Sequence, residues 1–166
     1  MMLSIRPATD ADLPTIHRLY QQARRFMAEN ANPNQWGTHY PDAETVAEDL
    51  SLHRLFVCLS HEEICGVFCY FFGDDPDYHQ IFHGQWLNDA PYGVVHRLAV
   101  STKQKGIASF CLDFAFRQCN NLRIDTHRDN HPMQRTLEKN GFHPCGIVNC
   151  SHGGERIAYQ KQKDRF

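Results

Sequence analysis

The run Val94-Val95-His96-Arg97-Leu98-Ala99-Val100 passes through Ser101 and Thr102 into Lys103-Gln104-Lys105-Gly106-Ile107-Ala108, and apolar residues then recur at helical spacing. A β-branched apolar run of this kind reads as a buried strand, and the Gly-containing turn after it opens directly into a helix. The first N–H groups of such a helix have no intrahelical partner and carry partial positive charge. The arrangement is therefore a seat for phosphate or pyrophosphate. The turn holds one glycine flanked by two lysines. It satisfies neither G-x-G-x-x-G nor G-x-x-x-x-G-K-S/T, which argues against the usual dinucleotide and nucleoside-triphosphate loops.

Outward from this core, strands and helices alternate, with hairpins toward both ends. Leu3 to Arg6 reads as a strand stopped by Pro7, and Thr9 is an N-cap for a helix with Leu13, Ile16, Leu19, Tyr20, Ala23, Phe26 and Met27 on one face. Asn30 to Asn34 ends it, and an aromatic loop with Trp36, His39 and Tyr40 follows. Asp42 caps a second helix carrying Val46 and Leu50. Leu55 to Leu59 and Ile64 to Phe72 are hairpin strands by loop length. Gly73 to Tyr92 has no period and is the long irregular excursion, the kind of segment that often carries function. Beyond the central run come a helix from Ile107, a strand at Leu122 to Thr126, a helix at Pro132 to Asn140 closed by Gly141, and strands at Phe142 to Asn149 and Glu155 to Gln160. This order predicts an α/β fold with a mixed, mostly antiparallel central sheet flanked by helices on both faces.

Composition narrows the function classes. The 166 residues suit one domain with a real core, and a formal charge of −2 gives no basic field for nucleic acid. The longest apolar run, Ile64 to Phe72, is too short to cross a membrane. Arg6, Asp10 and Asp12 interrupt the N-terminus before an apolar signal segment forms. Seven cysteines, with no Cys-x-x-Cys pair, lie mostly in apolar patterns and read as small hydrophobes. The expectation is a cytoplasmic protein without disulfides.

The segment Lys103-x-x-Gly106-x-Ala108 resembles the acetyl-CoA pyrophosphate loop of the GNAT N-acetyltransferases, R/Q-x-x-G-x-G/A after a strand ending in apolar-Ala-Val. Lys stands here for the usual Arg or Gln, and the loop is slightly shorter. Asp129-Asn130-His131-Pro132-Met133-Gln134-Arg135-Thr136-Leu137-Glu138-Lys139-Asn140-Gly141-Phe142 resembles the family's penultimate helix, which starts at such an Asn and ends in Glu-Lys-x-Gly-Phe. Ile5 to Asp12 resembles its first strand and helix start. The resemblance spans the chain and implies a single GNAT domain over residues 1–166. It implies transfer of an acetyl group from acetyl-CoA, the cosubstrate, to a primary amine on a small molecule or a peptide.

The residue roles follow from the same resemblance. Backbone donors at Gln104, Lys105, Gly106, Ile107 and Ala108 would hold the pyrophosphate, with Lys103 or Lys105 adding charge. Leu98 and Val100 would pair with the pantetheine arm as a strand does, and Asn130 would meet the cofactor, cap its helix, or do both. An alkylamine is only about one part in a thousand neutral at pH 7, so a base is useful. His96 is the candidate: it shares strand parity with Leu98 and Val100, and arylalkylamine N-acetyltransferases place a catalytic His there. A half-buried structural histidine is the alternative reading. Where many GNATs carry a tyrosine acid, this chain has Leu137. Tyr92, His127 or water would have to protonate the thiolate, unless a thiol with a pKa of about 8.5 leaves unaided.

Three further readings stay open. Trp36, His39, Tyr40 and the turn Asp74-Asp75-Pro76-Asp77-Tyr78 stand where GNATs bind the acceptor, and the acidic turn is either an ammonium site or simply solvated. His79 and His83 have metal-ligand spacing on a helix, yet no metal is expected. The alternative to an enzyme is a catalytically silent acyl-CoA-binding sensor or scaffold. A homodimer is consistent with the family; nucleic-acid and membrane partners are not expected.

Overall fold

In the computed structural model, which describes residues 2–164, strand β1 (Leu3–Pro7) leads through a short turn of 3-10 helix to α1 (Leu13–Glu29) and α2 (Ala43–Ser51). Strands β2 (Leu55–Ser60), β3 (Glu63–Phe72) and β4 (Gly93–Val100) follow, then α3 (Ile107–Cys119), β5 (Asn121–Thr126), α4 (His131–Lys139), β6 (His143–Asn149) and β7 (Glu155–Gln162). The strands form one sheet in the order β1-β2-β3-β4-β5-β7-β6. Every neighbouring pair is antiparallel except β4 and β5. Met1 and the last two residues of the 1–166 span lie outside the described residues.

Local chemistry sets the elements. Thr9 caps the 3-10 turn Asp10–Asp12 rather than α1 itself, and Asp12 returns a bond to the Thr9 N–H at 2.8 Å, completing a capping box. Pro14 then sits in the first turn of α1, where its missing N–H costs nothing. Asp42 caps α2 by accepting from the Thr45 N–H at 2.8 Å. His61 and Glu62 join β2 to β3 with both residues at positive φ, 51° and 67°, the conformation of a two-residue turn matched to sheet twist.

Helices cover both faces. On one, α1 and α2 bury Ile16, Leu19, Tyr20 and Val46 against Val57, Val67 and Ala99. On the other, α3 and α4 bury Ile107, Cys111, Leu112 and Leu137 against Cys58, Phe68, Val95 and Leu98. Gly66 permits the close seat of α3: a Cβ there would stand 3.1 Å from Ile107 Cγ2. All seven cysteines are free, five of them buried. Among the described residues no helix is long and apolar enough to cross a membrane.

Two irregularities of β4 shape everything downstream. Its pairing with β5 is limited to Gly93 with Leu122 and Val94 with Arg123, so the two strands part beyond Val94. Its register with β3 slips between Val67 and Cys69, where Arg97 adopts φ 53°. This bulge inserts a residue into the alternation. Val95 and Leu98 consequently face the same core, toward α3, although they are three apart. The parity expected between His96 and Leu98 is thereby broken. His96 turns instead toward Phe71 and Tyr78 on the opposite side.

Candidate active site

The parting of β4 and β5 opens a groove of about 830 Å³, within the range of small-molecule sites. Its walls come from the C-terminal half of α1, the end of β4, the turn before α3 and the start of α4. Eight of the residues singled out from sequence line it: Leu98, Val100, Lys103, Gln104, Lys105, Gly106, Ala108 and Asn130. Ile107 does not; its side chain is buried in the core and only its backbone belongs to the helix start.

The turn has the features an anion seat requires. Gly106 holds φ +87°, a left-handed conformation that L side chains adopt reluctantly, and among the described residues nothing lies within 4 Å of where a Cβ would stand. The glycine is thus demanded by conformation, with open space above it. Gln104 Nε2 is buried and has no hydrogen-bond partner among the described residues. An unsatisfied buried amide beside free helix N–H groups fits a ligand carrying acceptor oxygens. Asn130 caps α4, its Oδ1 accepting from the Met133 N–H at 3.1 Å, while its Nδ2 donates to Gln35 Oε1 at 2.8 Å. It ties the loop after α1 to the far wall of the groove.

At its inner end the groove meets a second, smaller cavity of about 60 Å³, sharing Met27, Leu98, Asn130 and Met133 as walls. Here His96 lies half-enclosed. Its Nε2–H donates to Asp75 Oδ2 at 2.5 Å, and Nδ1 stands 4.0 Å from Asp125 Oδ2. Asp125 in turn accepts from the Tyr78 hydroxyl at 2.7 Å. Burial alone would raise the Asp75 carboxyl, but the bond and charge of His96 outweigh it and hold the group below the ordinary carboxylate range. Because Asp75 is an acceptor, the imidazole keeps its proton on Nε2 and its lone pair on Nδ1.

The acidic turn is therefore neither an open ammonium site nor simply solvated. Asp75 is committed to His96 and also caps its own turn by accepting from the Asp77 N–H at 2.9 Å. Asp74 accepts from the Tyr92 hydroxyl and contacts His79, and Asp77 accepts from the Ser151 N–H. His79 is used in this way, His83 stands apart on an exposed loop, and no cluster of three or more His, Cys, Asp or Glu among the described residues is arranged to hold a metal. Of the aromatic loop, Trp36 and Tyr40 line the small cavity while His39 is exposed.

Leu137 is fully buried in the core between α4 and the sheet and lines neither the groove nor the small cavity. Tyr92 and His127 line neither the groove nor the small cavity. Tyr92 is spent on Asp74 and Asp75, and His127 Nδ1 accepts from the Asp129 N–H.

Several residues at the site escaped sequence reading. Arg97 fixes the bulge: its guanidinium donates twice to Asp49 at 2.7 Å and once to the Tyr40 hydroxyl, and its carbonyl accepts from the Tyr20 hydroxyl. His152 stacks on Tyr40 at 3.9 Å between centroids, and Arg156 and Asp125 complete the wall. Burial, then the charge of Arg156, holds His152 below its ordinary pKa, and burial pushes the neighbouring Cys150 thiol up to about 11. None of these lies in a recognisable motif; a charged residue inside an apolar strand, as Arg97 is, was the one available signal.

The model of the GNAT acetyltransferase domain matches residues 2–143. Among solved structures, a GNAT-family acetyltransferase from Streptococcus agalactiae is 28% identical with a TM-score of 0.90, over 98% of this chain and 96% of that one. A GNAT-family acetyltransferase from Listeria monocytogenes shares the fold at 18% identity and TM-score 0.69, over 96% and 94%. Naa50 of Arabidopsis thaliana, solved with the bisubstrate analogue CoA-Ac-MVNAL, shares it at 11% and 0.61, over 98% and 99%. No curated protein matches. With a domain match over most of its length and this architecture, the chain belongs to the GNAT acetyltransferase family.

Proposed function

We propose that residues 1–166 form one N-acetyltransferase domain that moves an acetyl group from acetyl-CoA to a primary amine, acting in the cytoplasm. The observation that carries the reading is the continuity of the two cavities: a groove running from the Gly106 turn along β4 ends at His96 and its carboxylate partner. Acetyl-CoA supplies the acetyl group as a thioester. Backbone N–H groups from Gln104 to Ala108 bind its pyrophosphate, with Lys103 and Lys105 adding charge and the Gln104 amide finding its missing acceptor. The edge of β4 at Leu98 and Val100, left without a strand partner by the parting from β5, pairs with the pantetheine amides. Asn130 holds the opposite wall.

His96 Nδ1 takes the proton of the amine, directly or through one water, and Asp75 stabilises the imidazolium that results. Tyr78 keeps Asp125 in place beside it. The neutral amine attacks the thioester carbonyl, the N–C bond forms as the C–S bond breaks, and the leaving thiolate takes up the remaining amine proton without a protein acid from α4, because Leu137 is buried. The chemistry is tested by thiol release from acetyl-CoA over a panel of amines and peptides, with CoA binding measured in parallel. His96→Ala is expected to cut turnover by about 100-fold or more while CoA still binds. Full turnover in that variant removes His96 from the mechanism. Tight CoA binding with no turnover on any amine favours the silent sensor or scaffold.

A further inference from the structure

Three arginine side chains are largely enclosed by the fold, and they are accommodated in different ways. Arg97 has the Asp49 carboxylate on two bonds. Arg123 lies between the rings of Trp86 and Tyr92, 4.1 and 3.9 Å from their centroids. Arg156, only 3% exposed, has neither. It donates to the Glu155 and Gln35 carbonyls at 3.0 Å each, and among the described residues no carboxylate lies within ion-pair distance of it. Burying a guanidinium against neutral partners alone is unfavourable. This one forms part of the wall of the small cavity, with Asp125 and His96 also on its walls.

The surroundings accentuate the charge. Burial, and after it Arg156, holds the His127 and His152 imidazoles below their ordinary pKa. The cavity wall thus presents one guanidinium without an ion-pair partner among the described residues, together with the carboxylate of Asp125 and the base His96. About 60 Å³ is room for a few water-sized groups, enough for a compact polar head and not for a folded protein surface.

We propose that Arg156 binds a carboxylate carried by the acceptor, so that the acceptor is an amino-acid-like molecule with its amine and carboxylate close together. The inference rests on the transferase reading above. A guanidinium offers two parallel N–H donors to a carboxylate and supplies both charge and orientation. With the carboxylate on Arg156, the amine faces His96 and Asp125.

The test compares matched pairs, each amino acid against the amine left by its decarboxylation, as acceptors for the whole protein with acetyl-CoA. The expected result is a kcat/KM about 10- to 100-fold higher for the carboxylated member of the best pair, expressed mainly in KM. Arg156→Gln, which keeps a donor toward the Gln35 carbonyl, brings that ratio close to one, and Arg156→Lys restores part of it. Thermal melting and CoA binding of each variant confirm folding; the wild-type ratio needs no variant at all. Equal use of both members, with turnover present, overturns this inference and leaves the transferase standing. Acceptance of only decarboxylated amines, with succinyl-CoA preferred over acetyl-CoA in an Arg156-dependent way, overturns it by placing the carboxylate on the acyl group. Preference for a lysine within a peptide also overturns it. No turnover on any amine refutes the transferase reading, and this inference with it.

Discussion

Replacing Asp49 with alanine strips Arg97 of two hydrogen bonds of 2.7 Å and leaves its guanidinium with the Tyr40 hydroxyl at 2.9 Å and the Cys69 thiol at 3.5 Å. The side chains of Arg97 and Asp49 are 16% and 6% exposed, so water only partly compensates. Breaking a buried ion pair from one side costs about 3–5 kcal/mol, and the residual access of Arg97 puts the expectation near 3. In a chain of this length each kcal/mol shifts Tm by about 2–4 °C, which predicts a drop of about 6–12 °C. The loss also reaches the groove. Arg97 sits at φ 53°, a conformation costing roughly 1–2 kcal/mol for an L residue, and the clamp from α2 helps to hold it there. Thermal and urea unfolding of Asp49→Ala, Arg97→Met and the double variant give a coupling energy. We expect at least about 1.5 kcal/mol, because the double variant leaves no orphaned charge. A single-variant loss below about 1 kcal/mol, or a cycle that closes within about 0.5 kcal/mol, refutes the idea that this pair holds the bulge.

Other consequences are equally direct. Gly106→Ala forces a Cβ into a left-handed position and into the space above the turn; CoA affinity should fall by about tenfold or more with at most about 2 kcal/mol lost in stability, and unchanged affinity by calorimetry would locate the pyrophosphate elsewhere. Leu137→Ala should cost about 2–5 kcal/mol in urea unfolding, whereas Leu137→Tyr should overpack the core and not speed thiol release; a faster variant would mean that the position does open to the cleft. The hydrogen bond from Arg6 holds the Asp12 carboxyl at about 2, against 3.8 for the free group. A depressed carboxylate stabilises the fold above its unfolded pKa and loses that contribution as pH falls from about 4 through 2, so Asp12→Asn should flatten the stability curve in that window. An unaltered acid limb in the variant would count against the pair.

The fold was largely legible because periodicity and turn chemistry agree along the chain. Gly93–Val100 and the hairpin at His61-Glu62 came directly from β-branched runs and loop length, and Gly106 and Asn130 announced the starts of α3 and α4. What sequence concealed was the bulge. Strict alternation put His96 on the face of Leu98 and Val100, and one residue at positive φ moved it to the other. The same limit hid Asp75 and Asp125 as partners of His96, since they lie 21 and 29 residues away and meet it only through the sheet. Arg156 was silent for a different reason. A lone arginine in a C-terminal strand is normally a solvated edge residue, and its burial depends on how the loop after α1 folds over it.

The central claim is that acetyl-CoA lies along β4 with its thioester at His96, and a crystal structure of the protein with CoA tests it most directly. The account predicts pyrophosphate oxygens on the N–H groups between Gln104 and Ala108, pantetheine amides on the Leu98 and Val100 backbone, and the thiol at the mouth of the small cavity lined by His96 and Asp125. CoA bound in any other place, or with its thiol directed away from His96, would contradict it.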